Sequence, residues 1–338
     1  MRLGRSAALA VFAVAAGIGA NRVQRRLRLI EQVPPELRRR GLYLPIPITN
    51  RVVLDRVRER RAGVSEVDAR VRHQQLTLPG TEALLHTYDV PHRPRPSGAL
   101  IWIHGGGFIT GSAGSAHDFC SQVALEQGVL VVNVDYRLAP EHPFPAGFED
   151  CYDALLWLHA HAHEMGVDPN RIVIAGASAG GGLAAAVAQR AHDEGVPLAF
   201  QLLIYPMLDD RSAQRPDLPA LTWSTRSNRY AWQAYLGQGV GQAQVPPYAV
   251  PGRRPDLTGL APAWLAVGDL DLFNEEVCSY AERLLGHGVD CQLRVLPGMY
   301  HGADAAVPDA PAMRRFRADL HEVLANAFDQ PQQHCAVV

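Results

Sequence analysis

The chain has 338 residues, 47% of them hydrophobic, and a formal net charge of −2. That length holds one large α/β domain with a modest accessory segment, and the near-neutral balance gives no ground for a nucleic-acid partner. Every basic side chain is arginine; without lysine, a Schiff base, a pyridoxal-phosphate linkage and a P-loop lysine are excluded.

In chain order, Ser6 to Ala20 form an apolar run behind Arg2 and Arg5, followed at once by Arg22, Arg25, Arg26 and Arg28. The run resembles a signal peptide, but positive charge just past it opposes translocation, and it is shorter than the ~20 residues of a spanning helix. A cytoplasmic chain is expected, with membrane association through residues 1–40 or export as the alternatives. Residues 22–62, broken at Pro34, Pro35, Pro45 and Pro47, read as short helices and a loop. Residues 1–62 are taken together as an N-terminal apolar and basic segment with short helices. Alternation over 71–78 and 82–89 around Pro79-Gly80 predicts a hairpin.

Apolar strands follow at 99–103, 129–134, 172–175, 200–205, 264–267 and 292–296, with helices near 116–127, 148–163, 179–194, 274–287 and 309–327. This alternation predicts a mostly parallel sheet covered by helices on both faces, eight-stranded with the hairpin. The main α/β domain is placed at 63–328 and a disordered tail at 329–338. The interval 207–250 carries Trp223, Trp232 and Tyr235 but no strand pattern; it is expected to be an inserted cap or pocket wall. Five cysteines, at 120, 151, 278, 291 and 335, lack any C-x-x-C pair and read as incidental thiols.

Gly176-Ala177-Ser178-Ala179-Gly180 lies where the strand ending at Ala175 meets an alanine-rich helix. A nucleophile elbow needs this tight strand-to-helix turn with small neighbours; such a turn also serves as a close-packing device. His104-Gly105-Gly106-Gly107-Phe108 follows another strand. Its glycines offer N–H groups in an extended loop, so Gly106, Gly107 and Ala179 are the candidate oxyanion donors. A serine hydroxyl needs a histidine base and an acid to orient it, and behind a strand-to-helix nucleophile elbow of this kind they follow in the chain order Ser, acid, His. Of the later histidines, His192, His287 and His321 fall on helices and read as solvated, His334 is in the tail, and His301 follows the last strand. The acid should end the preceding strand, where both Asp269 and Asp271 stand. His159, His161 and His163 form a string read as a solvated helix face.

Together these motifs resemble the hormone-sensitive-lipase-like branch of the α/β-hydrolases, the bacterial family IV esterases. The likeness covers roughly 80–305. It is carried by His104–Phe108, Asp135–Ala146, Gly176–Gly181, Asp271–Glu276, and Pro297-Gly298 before His301-Gly302. It implies an α/β-hydrolase fold with a cap built from the N-terminal helices of residues 1–62 and the 207–250 insertion. It also implies carboxylester hydrolysis on short or medium acyl chains, no cofactor, a small-molecule ester substrate, and Asp271 rather than Asp269 as the acid of a triad with Ser178 and His301. Ala177 and Ala303 depart from the family's usual aspartate and phenylalanine. An amidase, an acyltransferase, a non-hydrolytic ligand receptor on the same fold and a membrane-tethered interaction protein are the rival readings. A homodimer is left open.

Overall fold

The computed structural model describes residues 23–44, 46–61, 64–216, 220–237 and 239–329. The apolar run Ser6–Ala20 and the tail after Asp329 lie outside them. No described helix is long and apolar enough to cross a membrane.

The eight strands are β1 (Arg72–Thr77), β2 (Leu84–Asp89), β3 (Ser97–Ile103), β4 (Leu130–Asp135), β5 (Val167–Ala177), β6 (Phe200–Ile204), β7 (Ala263–Gly268) and β8 (Cys291–Leu296). They form one sheet in the order β1-β2-β4-β3-β5-β6-β7-β8. The pairs β1/β2 and β2/β4 are antiparallel, and all others are parallel. Every residue of β3 and of β7 is buried, as strands covered on both faces must be. At the edge, β1 reads Arg-His-Gln-Gln-Leu-Thr and is mostly exposed; polar side chains there discourage further strand pairing.

Helical residues 23–32 (α1) and α2 (Arg51–Arg61) precede the sheet. The crossovers are α3 (His117–Gln127), α4 (Ala146–Met165), α5 (Ala179–Asp193) and α7 (Asn274–Gly286). The last helices are the short α8 (Ala303–Ala306) and α9 (Pro311–Asp329). Expected and observed elements agree to within a few residues, with two differences. β5 starts at Val167 rather than 172, because Val167 already pairs with Ser97 across an irregular register. Asp329, expected in the tail, instead closes α9, whose end is held by the Arg171 guanidinium donating to the Phe328 carbonyl at 2.5 and 2.8 Å.

The interval 207–250 contains a 3-10 turn at Asp210–Gln214 and α6 (Thr225–Leu236). Ser224 caps α6 by accepting from the Ser227 N–H. Its aromatic face packs down on the glycine loop: Tyr235 stacks on Phe108 at 4.0 Å, and Trp232 lies 5.1 Å from the same ring. The N-terminal segment is tied to this insertion. Arg26 donates to the carbonyls of Leu42, Ala220 and Leu221, each at 2.7 Å, and the Ile48 N–H donates to Ser227 Oγ. Leu37, Leu42 and Leu54 are buried in the common core.

Candidate active site

Ser178 stands between the end of β5 and the first residue of α5 with φ 57° and ψ −120°. A non-glycine residue there is strained by about 1–3 kcal/mol and persists only when its surroundings fix it. Three backbone hydrogen bonds do so: its N–H donates to Ile204, and its carbonyl accepts from Gly182 and Met207. The turn also needs absent side chains. A Cβ on Gly180 would lie 2.1 Å from the Ile103 carbonyl oxygen, so the helix seats directly against β3. The start of α5 points its free N–H groups and positive dipole end at the space beside Ser178.

The His104–Thr110 loop is coiled rather than extended, which corrects the sequence expectation. The Gly106 carbonyl accepts from both Ile109 and Thr110, and Phe108 sits at φ 63°. The coil folds because Gly106 and Gly107 adopt φ 131° and 64°, open to glycine but costly to other residues. Among the described residues, neither glycine's N–H donates to a protein acceptor. The loop abuts the serine: a Cβ on Gly105 would be 3.2 Å from Ser178 Cβ. Trp223, from the insertion, covers Gly107 so closely that a Cβ there would meet its ring at 2.3 Å.

His104 is a scaffold residue. Buried, it stacks on Tyr136 at 4.3 Å, and its Nδ1 lies 2.8 Å from the Gly105 carbonyl. The Asp135–Ala146 run braces the same loop. The Asp135 carboxylate accepts from the Ala113 N–H, Tyr136 OH donates to the His104 carbonyl, and the Ala139 N–H donates to the Phe108 carbonyl.

His301 follows β8 and brings its Nε2 to 2.9 Å from Ser178 Oγ. Its Nδ1 lies 2.8 Å from Asp271 Oδ2. The other oxygen of Asp271 accepts from the Phe273 N–H, fixing the carboxylate in a fully buried position. Asp269 faces elsewhere. Its Oδ1 accepts from the Gly298 N–H at 2.7 Å, tying the loop that carries His301 to the end of β7. The ring of His301 is boxed by Phe273 at 5.1 Å and Tyr205 at 4.8 Å, both edge-on. Its carbonyl accepts from Thr222 Oγ1.

Tyr205, Thr222, Phe273 and Asp304 escaped the sequence reading, since nothing in their spacing marks them. Tyr205 OH donates to Asp304 Oδ1 at 2.8 Å, and burial holds the Asp304 carboxyl above its ordinary range. Ala303, where the resembling family carries phenylalanine, is fully buried at the head of α8.

The remaining histidines are placed elsewhere. His192 is exposed and His287 lies 3.3 Å from Asp256. His321 is not solvated as expected, for it packs near Phe119 and lies 2.9 Å from Glu126. His159 is also more engaged than a solvated face, with Nε2 3.0 Å from the Pro197 carbonyl. Cys120, Cys151, Cys278 and Cys291 are free thiols. A cavity of about 1020 Å³ bordered by Leu208, Arg211, Glu276 and Arg283 includes none of Ser178, Asp271 and His301.

Residues 100–305 match a family model described as the alpha/beta hydrolase fold. This chain therefore belongs to the α/β-hydrolase family, in its hormone-sensitive-lipase-like branch. Within that family it is similar to esterase LipI of Mycobacterium tuberculosis, 39% identical over 209 residues, 60% of this chain and 64% of that protein. That match spans just under two thirds of the relative's own length. A solved bacterial heroin esterase superposes with a TM-score of 0.81 at 37% identity, covering 89% of this chain and 99% of the other. Esterase LipW from Mycobacterium marinum superposes at 0.78 with 32% identity, covering 89% and 98%.

Proposed function

We propose that this protein is a serine carboxylesterase acting on small-molecule esters, with Ser178 as nucleophile, His301 as general base and acid, and Asp271 as its orienting carboxylate. The observation that carries the reading is the continuous hydrogen-bonded relay from Asp271 through His301 to Ser178, with contacts of 2.8 and 2.9 Å. The similarity to LipI and to the heroin esterase supports the ester substrate class.

In this mechanism Ser178 Oγ attacks the ester carbonyl while His301 Nε2 takes its proton, and the buried Asp271 carboxylate stabilises the imidazolium that forms. Negative charge on the former carbonyl oxygen is met by the N–H groups of Gly106, Gly107 and Ala179. The imidazolium protonates the departing alcohol, leaving an acyl-Ser178 ester. Water deprotonated by His301 then attacks that ester and frees the acid. Residues 23–61 and 207–250 act as the cap: Trp223 over Gly107 and Thr222 on the His301 carbonyl bring it to the reacting groups. The family resemblance points to short or medium acyl chains.

The test is hydrolysis of a p-nitrophenyl ester series from acetate to dodecanoate by the wild type, Ser178→Ala and His301→Ala. Wild-type turnover should peak at short or medium chains, and each variant should lose roughly 10⁴-fold or more in kcat. Binding of the esters without turnover by the wild type would favour the receptor reading. Turnover retained by Ser178→Ala would remove the serine from the chemistry.

A further inference from the structure

Outside the triad, three imidazoles converge on the opposite flank of the sheet. His73 lies on β1, His86 on β2, and His117 is the first residue of α3. One ring nitrogen from each lies within 4.8 Å of the other two, the only such trio of metal-competent side chains among the described residues. His73 Nε2 and His86 Nδ1 are 3.0 Å apart. The register explains the convergence: His73 pairs with Tyr88 and Gln75 with His86, so the two histidines are diagonal neighbours on the face that α3 covers. The rings of His73 and His117 meet edge-on at 5.1 Å.

We propose that His73, His86 and His117 form a binding site for a divalent transition-metal ion of the zinc class, which clips the β1–β2 hairpin to α3. Zinc with imidazole ligands sits about 2.0–2.1 Å from each nitrogen, which places tetrahedral donors roughly 3.3 Å apart. The 3.0 Å between His73 Nε2 and His86 Nδ1 is close to that spacing, and the three donor nitrogens lie within 4.8 Å of one another. The site is also built around its ligands. Tyr88 OH hydrogen-bonds His117 Nδ1, and Asn133 Nδ2 lies 3.4 Å from the same hydroxyl. A partner on the second ring nitrogen is what orients a metal-ligating histidine.

His86 and His117 are buried, while His73 is half-exposed, so solvent reaches the cluster from the β1 side and supplies the fourth ligand. Burial holds all three imidazoles below their ordinary pKa, and their mutual proximity adds to this at His73 and His86. Asp118 and Asp135 stand near enough to bias the cluster towards a cation.

The experiment uses the full chain stripped with a chelator and titrated with Zn²⁺ alone against a chromophoric zinc indicator. His73→Gln, His86→Gln and His117→Gln are compared with the triple variant His159→Gln/His161→Gln/His163→Gln, which removes the helical histidine string instead. We expect one site per chain that survives the string variant and is lost in the other three, with Tyr88→Phe weakening it roughly 10- to 100-fold. Addition of Co²⁺ should give the visible absorption of a tetrahedral nitrogen site in the wild type. Near-ultraviolet circular dichroism and p-nitrophenyl acetate turnover establish that each variant is folded; His73→Gln, on the edge strand, is the one least exposed to misfolding. Zinc stoichiometry and affinity unchanged in folded His73→Gln, or lost only in the string variant, would overturn the site. So would the absence of any binding by the wild type. None of these outcomes depends on whether Ser178 is the nucleophile.

Discussion

Two aspartates two residues apart play different parts at the end of β7. Asp271 points its buried carboxylate at His301 Nδ1, while Asp269 spends its own on the Gly298 N–H. Removing Asp271 takes away both the orientation of the imidazole and the charge that stabilises its protonated form. Asp271→Asn should therefore lower kcat by roughly 10⁴-fold with little change in KM. Removing Asp269 leaves a backbone donor unpaired, at a cost of about 1–3 kcal/mol, and frees the loop without touching the imidazole. Asp269→Ala should lose stability in denaturant unfolding and only about 10-fold in kcat, the factor that about 1.4 kcal/mol of lost positioning gives. Steady-state kinetics with the ester series separates the two; equal losses at both positions would mean that the loop tie, not the charge, limits the reaction. Sequence position alone left these two residues tied, and it was the family resemblance that favoured Asp271. Both sit in the right loop, and the difference lies in which way each carboxylate faces, a matter decided by the Phe273 N–H on one side and the Gly298 N–H on the other.

At the scale of elements, what was legible is what local pattern controls. Strands such as β3 and β7 are continuous apolar runs because they are buried on both faces, and Ser178 was visible because small residues must flank a strand-to-helix turn. The coil of the glycine loop was not legible, since three glycines permit an extended and a folded path alike and the Thr110 and Ile109 N–H groups choose between them. Nor was the convergence of His73, His86 and His117, which needs hairpin register and the start of α3 at once. The N-terminal arginines read as a basic flank, yet one of them is structural. Arg26 satisfies three carbonyls, two of them just before Thr222 and Trp223 in the insertion. Arg26→Met keeps the apolar stem and removes those bonds. We expect the insertion to loosen over Ser178, raising KM several-fold, with kcat less affected because Ser178, His301 and Asp271 are held from the sheet. A fall in kcat with KM unchanged would show instead that the insertion positions His301 through Thr222.

Across the whole molecule, the sheet edge, the acid loop and the insertion are joined through one buried carboxyl. Glu276 lies on α7, which starts three residues after Asp271, and its Oε1 accepts from the Leu208 N–H at 2.8 Å where the insertion begins. Met207, one residue earlier, donates to the Ser178 carbonyl. Burial pushes the Glu276 pKa from 4.5 up to about 8, against the opposing pull of the Leu208 N–H. Between those two values the folded chain keeps a proton that the unfolded chain releases. The stability this group contributes is thus fully present below pH 4.5 and drains away as the pH rises through 8. The slope from this one group approaches about 1.4 kcal/mol per pH unit. Glu276→Gln preserves an acceptor for Leu208 without a titrating proton, so its stability should be flatter in pH. In urea unfolding from pH 5 to 8.5, the difference between wild type and Glu276→Gln should shift by a few kcal/mol in the variant's favour as the pH climbs. Parallel stability profiles would mean that the carboxyl is already ionised in the folded chain, and that Leu208 and Asp209 hold a charge rather than a neutral acid.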